Sequence, residues 1–101
     1  MIRMSSKKLA YPVVLTPAEE GGFCVEAPDL GAHTQGEDIV DALDMAQDAI
    51  EMMGVYLQDK GEAIPAPGDI NSLKVKEGEI KTLVKVDFDE YRRKTEMAVR
   101  Y

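Results

Sequence analysis

Carboxylates are the side chains in this sequence best suited by type and spacing to do chemistry. Between residues 19 and 41 stand Glu19, Glu20, Glu26, Asp29, Glu37, Asp38 and Asp41. Clustered carboxylates can bind magnesium and hydrolyse phosphodiesters, usually from sheet positions that the fold brings together. Here only Glu26 falls inside an expected strand. The others fall in loops or at an expected helix start, where acidic groups cap helices or stay solvated. The pattern favours a solvated surface over a metal-dependent hydrolase.

Cys24 and His33 are the second candidate pair for chemistry. They are the only cysteine and the only histidine, so neither an intrachain disulfide nor a Cys/His zinc cluster can form within this chain. A cysteine beside an imidazole can act as a nucleophile. A lone cysteine in a strand is more often a small buried residue, which is what we expect of Cys24. We predict no catalytic residue, no metal site and no cofactor.

A short basic patch near the end of the chain is the best candidate for binding nucleic acid. It consists of Tyr91, Arg92, Arg93 and Lys94, with Arg100 further on. Such a patch predicts binding to RNA or DNA that weakens steeply with salt. Acidic residues stand just before the patch, so nucleic-acid binding is kept as the alternative function.

The overall charge is the broadest functional signal. The 101 residues carry 19 acidic and 12 basic side chains, which gives a formal charge of -7. Such a surface repels phosphate backbones and attracts basic proteins, although it also simply keeps a protein in solution. The length indicates one domain. No signal peptide or membrane-spanning run is visible, so we expect no membrane association and a cytoplasmic location.

The first third of the chain predicts a β-hairpin and a short third strand. Residues 9–16 are rich in β-branched and aromatic side chains, and residues 23–27 alternate with Val25 on the apolar face. Pro12 has no N–H group, so we expect the first strand to lie at an edge or to be paired on one side there. Residues 32–34 predict the third strand.

A long helix follows, with Asp38 as its N-cap, Asp41 completing a variant capping box, an end near Asp59 and a stop at Gly61. Its polar arc is expected to hold Asp44, Gln47, Asp48, Glu51 and Gln58.

The apolar side of this helix is broad enough for two stripes. One contains Ile39, Leu43, Ala46, Ile50, Met53 and Leu57; the other contains Ala42, Met45, Ala49, Met52 and Tyr56. The second stripe predicts either an interface with another protein chain or packing under a loop or the tail.

The remaining residues predict a second hairpin and a polar end. A proline-rich connection over 61–69 and one short turn near 70–73 lead to strands at 73–76 and 79–88, in which Lys81, Lys85 and Asp87 point away from the apolar face. Residues 89–101 are expected to begin as a helix. The order β-β-(β)-α-β-β indicates an α+β fold, with one main helix on a small, mostly antiparallel sheet of three to five strands.

Several short motifs, in order along the chain, carry a family resemblance. They are Tyr11-Pro12, Gly21-Gly22-Phe23, Pro28-Asp29-Leu30, Thr34-Gln35-Gly36-Glu37-Asp38 with Asp41-Ala42-Leu43, Ile64-Pro65-Ala66-Pro67, Val86-Asp87 and Tyr91-Arg92. The set resembles the HicB antitoxins of bacterial toxin–antitoxin pairs. The resemblance implies a partial RNase H-like fold without the catalytic machinery. It also implies a cytoplasmic antitoxin that masks HicA, a small basic mRNA-cleaving toxin.

The resemblance also suggests a division of the chain and two departures from the family. We expect a polar tail at 1–8, the HicB-like domain at 9–90 and the start of a linker at 91–101. HicB proteins usually carry a C-terminal DNA-binding module after such a linker, and we expect this module to be missing here. DNA is therefore an expected partner only if the native protein has that module. The family's usual Pro-Gly-Cys is replaced by the shorter Gly31-Ala32-His33, which leaves the role of His33 open.

These expectations combine into one functional hypothesis. The chain is predicted to be a non-enzymatic antitoxin that binds a HicA-like toxin through acidic residues near the first turn and the helix start. The predicted contact residues are Glu19, Glu20, Glu26, Asp29 and Glu37. The chain is also predicted to form a homo-oligomer, a dimer or tetramer, through Met45, Ala49, Met52 and Tyr56.

Overall fold

The structure is a computed structural model that describes residues 8–98; the tail residues 1–7 and Arg100 lie outside this range. The elements in chain order are β1 (Lys8–Pro17), β2 (Phe23–Ala27), β3 (Ala32–Gly36), α1 (Ile39–Asp59), a 3₁₀ turn (Ile70–Ser72), β4 (Ile80–Asp87) and α2 (Phe88–Ala98). The four strands form one sheet in the order β3-β2-β1-β4, and each neighbouring pair is antiparallel. The predicted α+β class is confirmed.

β1 lies inside the sheet although it contains Pro12. β4 pairs with β1 from Lys8 to Leu15, and Pro12 stands opposite Leu83. The β2 register begins only at Val14. At Pro12 the strand is therefore paired on one side, so the missing N–H group interrupts no second ladder. The prediction of one-sided pairing is confirmed.

The predicted second hairpin is wrong. Residues 73–76 form no strand, and β4 pairs with β1 instead. β1 offers a longer apolar row, in which Leu9 and Tyr11 stand opposite Val86 and Val84. A short segment with alternating lysines cannot bury as much surface against β4. The 3₁₀ turn is fixed by the Lys81 ammonium group, which donates to the carbonyl oxygens of Ile70 and Leu73 at 3.2 and 3.0 Å.

The core lies between α1 and one face of the sheet. Tyr11, Val13 and Leu15 of β1 are at most 1% exposed, and Val84 and Val86 are buried beside them. The helix buries small residues at Ala42 and Ala46 and a large one at Ile50, so it approaches the sheet closely. Ile39, predicted on the buried stripe, is 43% exposed because it begins the helix beyond the sheet.

Two residues expected to be solvated are buried where the elements meet. Glu51 is 8% exposed and Asp87 is 5% exposed. The sequence placed Glu51 on the polar arc of α1 and Asp87 on the outer face of its strand, but α2 turns back beside α1 and covers this corner. Phe88, the first residue of α2, contacts Gly54 so closely that a Cβ at Gly54 would overlap its ring.

The proline-rich segment after α1 is fastened to the sheet by side chains. The Tyr11 hydroxyl donates to the carbonyl oxygen of Pro65 at 2.6 Å. The Gly68 N–H donates to the Asp29 carboxylate at 2.8 Å. Burial raises the pKa of Tyr11, and the negative charge of Asp29 raises it further. The segment therefore ties the end of α1 to β1 and to the turn after β2.

Candidate functional site

A cleft of about 470 Å³ lies between the turn joining β1 to β2, the end of β3 and the start of α1. Its apolar wall includes Phe23 and Met45. Three acidic residues, Glu20, Glu37 and Asp41, also line the cleft. A cleft with one apolar wall and several carboxylates suits a long basic side chain, whose methylene groups and charged head need different surroundings.

Two glycines bring the walls of this cleft together. Gly22 has a φ of 78°, a conformation that favours glycine, and a Cβ there would lie 2.5 Å from the carbonyl oxygen of Gly36. A Cβ at Gly36 would overlap the backbone of Ala42. The turn, β3 and α1 therefore meet at backbone contact distance, which fixes the shape of the cleft.

The start of α1 is held by a modified capping box. The Asp38 carboxylate accepts the N–H of Asp41 at 2.8 Å, as predicted for the N-cap. The Asp41 carboxylate accepts the N–H of Glu37 at 2.9 Å, one residue before the expected partner. Asp41 is thereby fixed at the cleft. The sequence predicted that Asp41 caps the helix. It could not predict that Asp41 lines the cleft, because this depends on the β1–β2 turn, which is distant in sequence.

The structure brings together only part of the predicted acidic surface. Glu20 and Glu37 line the cleft, and Glu19 is exposed beside Glu20 in the same turn. Glu26 is exposed on the sheet face away from α1, because Val25 and Ala27 on either side of it are buried. Asp29 is half-buried and holds Gly68. The proposed contact role of these five residues stays a prediction.

Cys24 departs from its expected place. It is exposed, so the expectation of a small buried residue is wrong. The reason is the strand alternation, which directs Val25 and Ala27 into the core and Cys24 away from it. In the β2–β3 register Cys24 stands opposite Gln35, and His33 stands opposite Glu26. The register therefore does not place the thiol and the imidazole directly opposite each other.

The second stripe of α1 is exposed from Met45 onward, whereas its first residue, Ala42, is buried in the core. Met45, Met52 and Tyr56 are 40%, 55% and 53% exposed, and Ala49 between them is half-buried. The Lys60 ammonium group lies 5.1 Å from the centre of the Tyr56 ring. Within residues 8–98 no loop covers these three side chains, so the alternative of packing under a loop is wrong there. The predicted subunit interface stays a prediction.

The basic patch lies on α2 and is partly engaged by acidic residues of α1. Arg92 forms an ion pair with Asp59 at 3.0 Å and also donates to the Gln58 side chain at 3.1 Å. Lys94 lines a second cavity of about 380 Å³ together with Asp44, Asp48 and Glu51. These contacts reduce the positive charge that the patch offers to a phosphate backbone.

A buried carboxylate lies in this same corner. Glu51 accepts the N–H of Asp87 at 2.9 Å. Burial raises the pKa of Glu51, while the hydrogen bond from Asp87 and the charge of Lys94 act in the opposite direction. The pKa of Tyr91 is also raised, first by burial and then by the charges of Asp48 and Glu51. Glu51 thus joins α1 to the junction of β4 and α2.

Neither a metal site nor a membrane-spanning helix is found within residues 8–98. Among residues 8–98, no group of three or more His, Cys, Asp or Glu side chains is arranged to hold a metal ion. In the same part of the chain, no helix is both long enough and apolar enough to span a membrane.

Known proteins of similar sequence are antitoxins. Antitoxin HicB 1 of Photorhabdus laumondii is 42% identical over 69 residues, which cover 67% of this chain and 44% of that protein. Antitoxin HicB of Escherichia coli is 42% identical over 65 residues, which cover 63% of this chain and 47% of that protein. The chain thus spans about half the length of these curated relatives.

Two solved structures of similar fold come from toxin–antitoxin complexes. A chain in a toxin–antitoxin complex from Streptococcus pneumoniae superposes with a TM-score of 0.74 at 24% identity, over 84% of this chain and 73% of that chain. This likeness shows the fold alone. A chain in a HicA3 and HicB3 toxin–antitoxin complex superposes with a TM-score of 0.65 at 26% identity, over 78% of this chain and 99% of that chain.

The family match covers most of the described structure. The family described as the HicB-like antitoxin of bacterial toxin–antitoxin systems matches residues 11–99, a range that starts at the buried Tyr11 of β1 and includes all of α2. The range includes the cleft, the exposed stripe of α1 and the Glu51 corner. The chain therefore belongs to the HicB-like antitoxin family.

Proposed function

We propose that this chain is the antitoxin of a type II toxin–antitoxin pair and that it binds and masks a small, basic HicA-like mRNA-cleaving toxin. The observation that carries the proposal is membership of the HicB-like antitoxin family over residues 11–99. The formal charge of -7 and the carboxylate-lined cleft give the chain a surface suited to a basic protein.

Masking by contact requires no chemistry from the antitoxin itself. Glu20, Glu37 and Asp41 supply negative charge at one cleft, and Phe23 and Met45 supply apolar surface beside it. Such a surface can cover a basic nucleic-acid-binding region of a toxin and exclude RNA from it. We therefore assign the chain a binding role, without enzymatic activity, in the cytoplasm where mRNA is cleaved.

The test uses a cognate HicA-like toxin. The two purified proteins are mixed, and the mass of the mixture is measured by size exclusion with light scattering. A stable complex with a sub-micromolar Kd at physiological salt is expected, and its affinity should fall as the salt concentration rises. Separate elution of the two proteins at micromolar concentrations would overturn the proposal.

Nucleic-acid binding through Tyr91, Arg92, Arg93 and Lys94 is the alternative function. The ion pair of Arg92 with Asp59 and the acidic surroundings of Lys94 weaken this alternative. It is tested by titrating fluorescent RNA and DNA at low salt. Binding that is abolished by an Arg93→Glu substitution would favour the alternative over the antitoxin role.

A further inference from the structure

The exposed edge of β3 and the first exposed residue of the α1 stripe, Met45, meet at the cleft. β3 is the outermost strand of the sheet and pairs only with β2 among the described strands. Met45 of the stripe lines the cleft together with Gln35 and Gly36 of β3. We call the outer edge of β3 together with Met45, Ala49, Met52 and Tyr56 the edge face.

The two edges of the sheet are protected to different degrees. β4 carries Lys81 and Lys85, and the Gln47 side chain donates to the outward carbonyl oxygen of Lys85 at 3.0 Å. Charged side chains and such caps are the usual means of preventing strand addition. β3 reads Ala-His-Thr-Gln-Gly and carries no acidic residue, lysine, arginine or proline. Strand addition is therefore favoured at β3 and disfavoured at β4.

The charges around the edge face indicate what kind of partner fits it. Glu20, Glu37 and Asp41 line the cleft at one end of the face. Asp48 is three residues after Met45 and four before Met52, so it lies on the same side of the helix as both. A second copy would double the negative charge of the assembly, because each chain carries a formal charge of -7. A basic partner would instead neutralise this charge.

We propose that a basic partner protein docks on the edge face by adding a β-strand to β3 while its apolar side chains pack on the α1 stripe. This inference rests on the proposed antitoxin function, because it names the surface to which the toxin binds. The sequence alone suggested that the exposed stripe of α1 mediates self-association, whereas this proposal makes the stripe part of the toxin-binding surface. Main-chain pairing supplies affinity, and the stripe and carboxylates select the partner.

Hydrogen exchange of the chain, alone and with a cognate HicA-like toxin, measures strand addition directly. Backbone amides within residues 32–36 should exchange at least about tenfold more slowly in the complex, because added strand pairing protects them. Amides of β4 should change little. A complex that forms without protection at β3, or with protection at β4 instead, would overturn the proposal.

Matched substitutions test the two halves of the face. Gln35→Lys places a positive charge on β3, and its control Leu83→Lys places the same charge on β4, where Leu83 is 50% exposed. Met52→Lys alters the stripe, and its control Val40→Lys alters a residue of the same helix that is 71% exposed and off the stripe. Each face variant should weaken toxin binding about tenfold or more, the effect of losing a central contact. Each control should stay within about threefold of the unaltered chain.

The outcomes separate this proposal from the proposed function. If the unaltered chain binds no toxin, the antitoxin function itself fails. If it binds and all four variants bind equally well, the function stands and the edge face is overturned. If the face variants instead lower only the mass of the chain alone, measured by sedimentation, then the face is occupied by a second copy and the proposal is equally overturned.

Discussion

At the scale of single residues, Glu51 shows how a buried carboxylate can join three elements. It lies on α1 and accepts the N–H of Asp87 at the end of β4. The Asp87 side chain in turn accepts the N–H of Glu90 in the first turn of α2 at 3.0 Å. In an ordinary capping box, a side chain in the first turn of the same helix accepts the N–H of the N-cap residue. Here Glu51 of α1 accepts the N–H of Asp87, which caps α2.

The charge of Glu51 is expected to cost stability at neutral pH. Burial raises its folded-state pKa above the ordinary value, so the folded protein holds this proton more tightly than the unfolded chain. The stability that protonated Glu51 contributes is fully present below the pKa that Glu51 has in the unfolded chain. It is lost as the pH rises through the higher pKa that Glu51 has in the folded protein. The Glu51→Gln substitution keeps an acceptor for the Asp87 N–H and removes the charge. At pH 7.5 the free energy of unfolding of this variant should therefore be higher than that of wild type.

Urea denaturation at two pH values checks this prediction. The advantage of Glu51→Gln should shrink at pH 4, where the wild-type carboxyl group is increasingly protonated. Glu51→Leu leaves the Asp87 N–H without this acceptor and should cost about 1–3 kcal/mol. Glu77→Gln, at an exposed turn position, is the control. An advantage of Glu51→Gln that grows toward pH 4 would contradict this account of Glu51.

Tyr11 provides a second test at this scale. Its ring is buried at 0% exposure and lies edge-on to Phe88, while its hydroxyl reaches Pro65. Tyr11→Phe should lower the free energy of unfolding by about 1–2 kcal/mol, because the hydrogen bond is lost and the Pro65 carbonyl loses a donor. Tyr56→Phe, on an exposed ring, should change stability by less than about 0.5 kcal/mol. Equal effects in urea denaturation would show that the hydroxyl does not fasten the proline segment.

At the scale of elements, the sequence predicted the features that depend on neighbouring residues. The start of α1 at Asp38, its end near Asp59 and the hairpin of β1 and β2 follow from caps, turns and alternation. The pairing of β4 with β1 was missed because it joins residues about 70 positions apart, and no local pattern identifies such a partner. The burial of Glu51 was missed for the same reason, since α2 covers it only after the chain has folded back.

The close contact of α1 with Phe88 gives a prediction at this scale. Alanine normally favours a helix over glycine by about 1 kcal/mol. At Gly54 the added Cβ would overlap the Phe88 ring, so Gly54→Ala should instead destabilise the protein by about 1–3 kcal/mol. The combination with Phe88→Leu should lose less stability than the sum of the two single changes. A stabilising Gly54→Ala substitution in thermal unfolding would contradict the packing described here.

At the scale of the whole molecule, charge and family membership point to the same kind of partner. The sequence could predict an acidic binding protein, and its motifs could predict the family. The cleft itself could not be predicted, because Glu20, Glu37 and Asp41 come together only when the β1–β2 turn packs against the start of α1. Of the five acids that charge and loop position suggested, Glu26 faces away from α1 and Asp29 is bonded to Gly68.

Charge reversal at the cleft tests this partner preference. Glu20→Lys combined with Glu37→Lys should weaken binding to the HicA-like protein by about 10- to 100-fold, because two attractive charges become repulsive. Glu62→Lys combined with Glu77→Lys changes the net charge equally at exposed positions outside the cleft. This control should lose much less affinity in titration calorimetry. Equal losses would show that net charge alone, rather than the cleft, governs binding.

Inhibition of toxin activity tests the central claim most directly. A cognate HicA-like toxin is incubated with mRNA, and cleavage is measured as the chain is added in increasing amounts. Because the chain is proposed to mask the toxin by binding it, cleavage should stop near a stoichiometric ratio of the two proteins and return at high salt. Undiminished cleavage in the presence of excess chain at physiological salt would contradict the account.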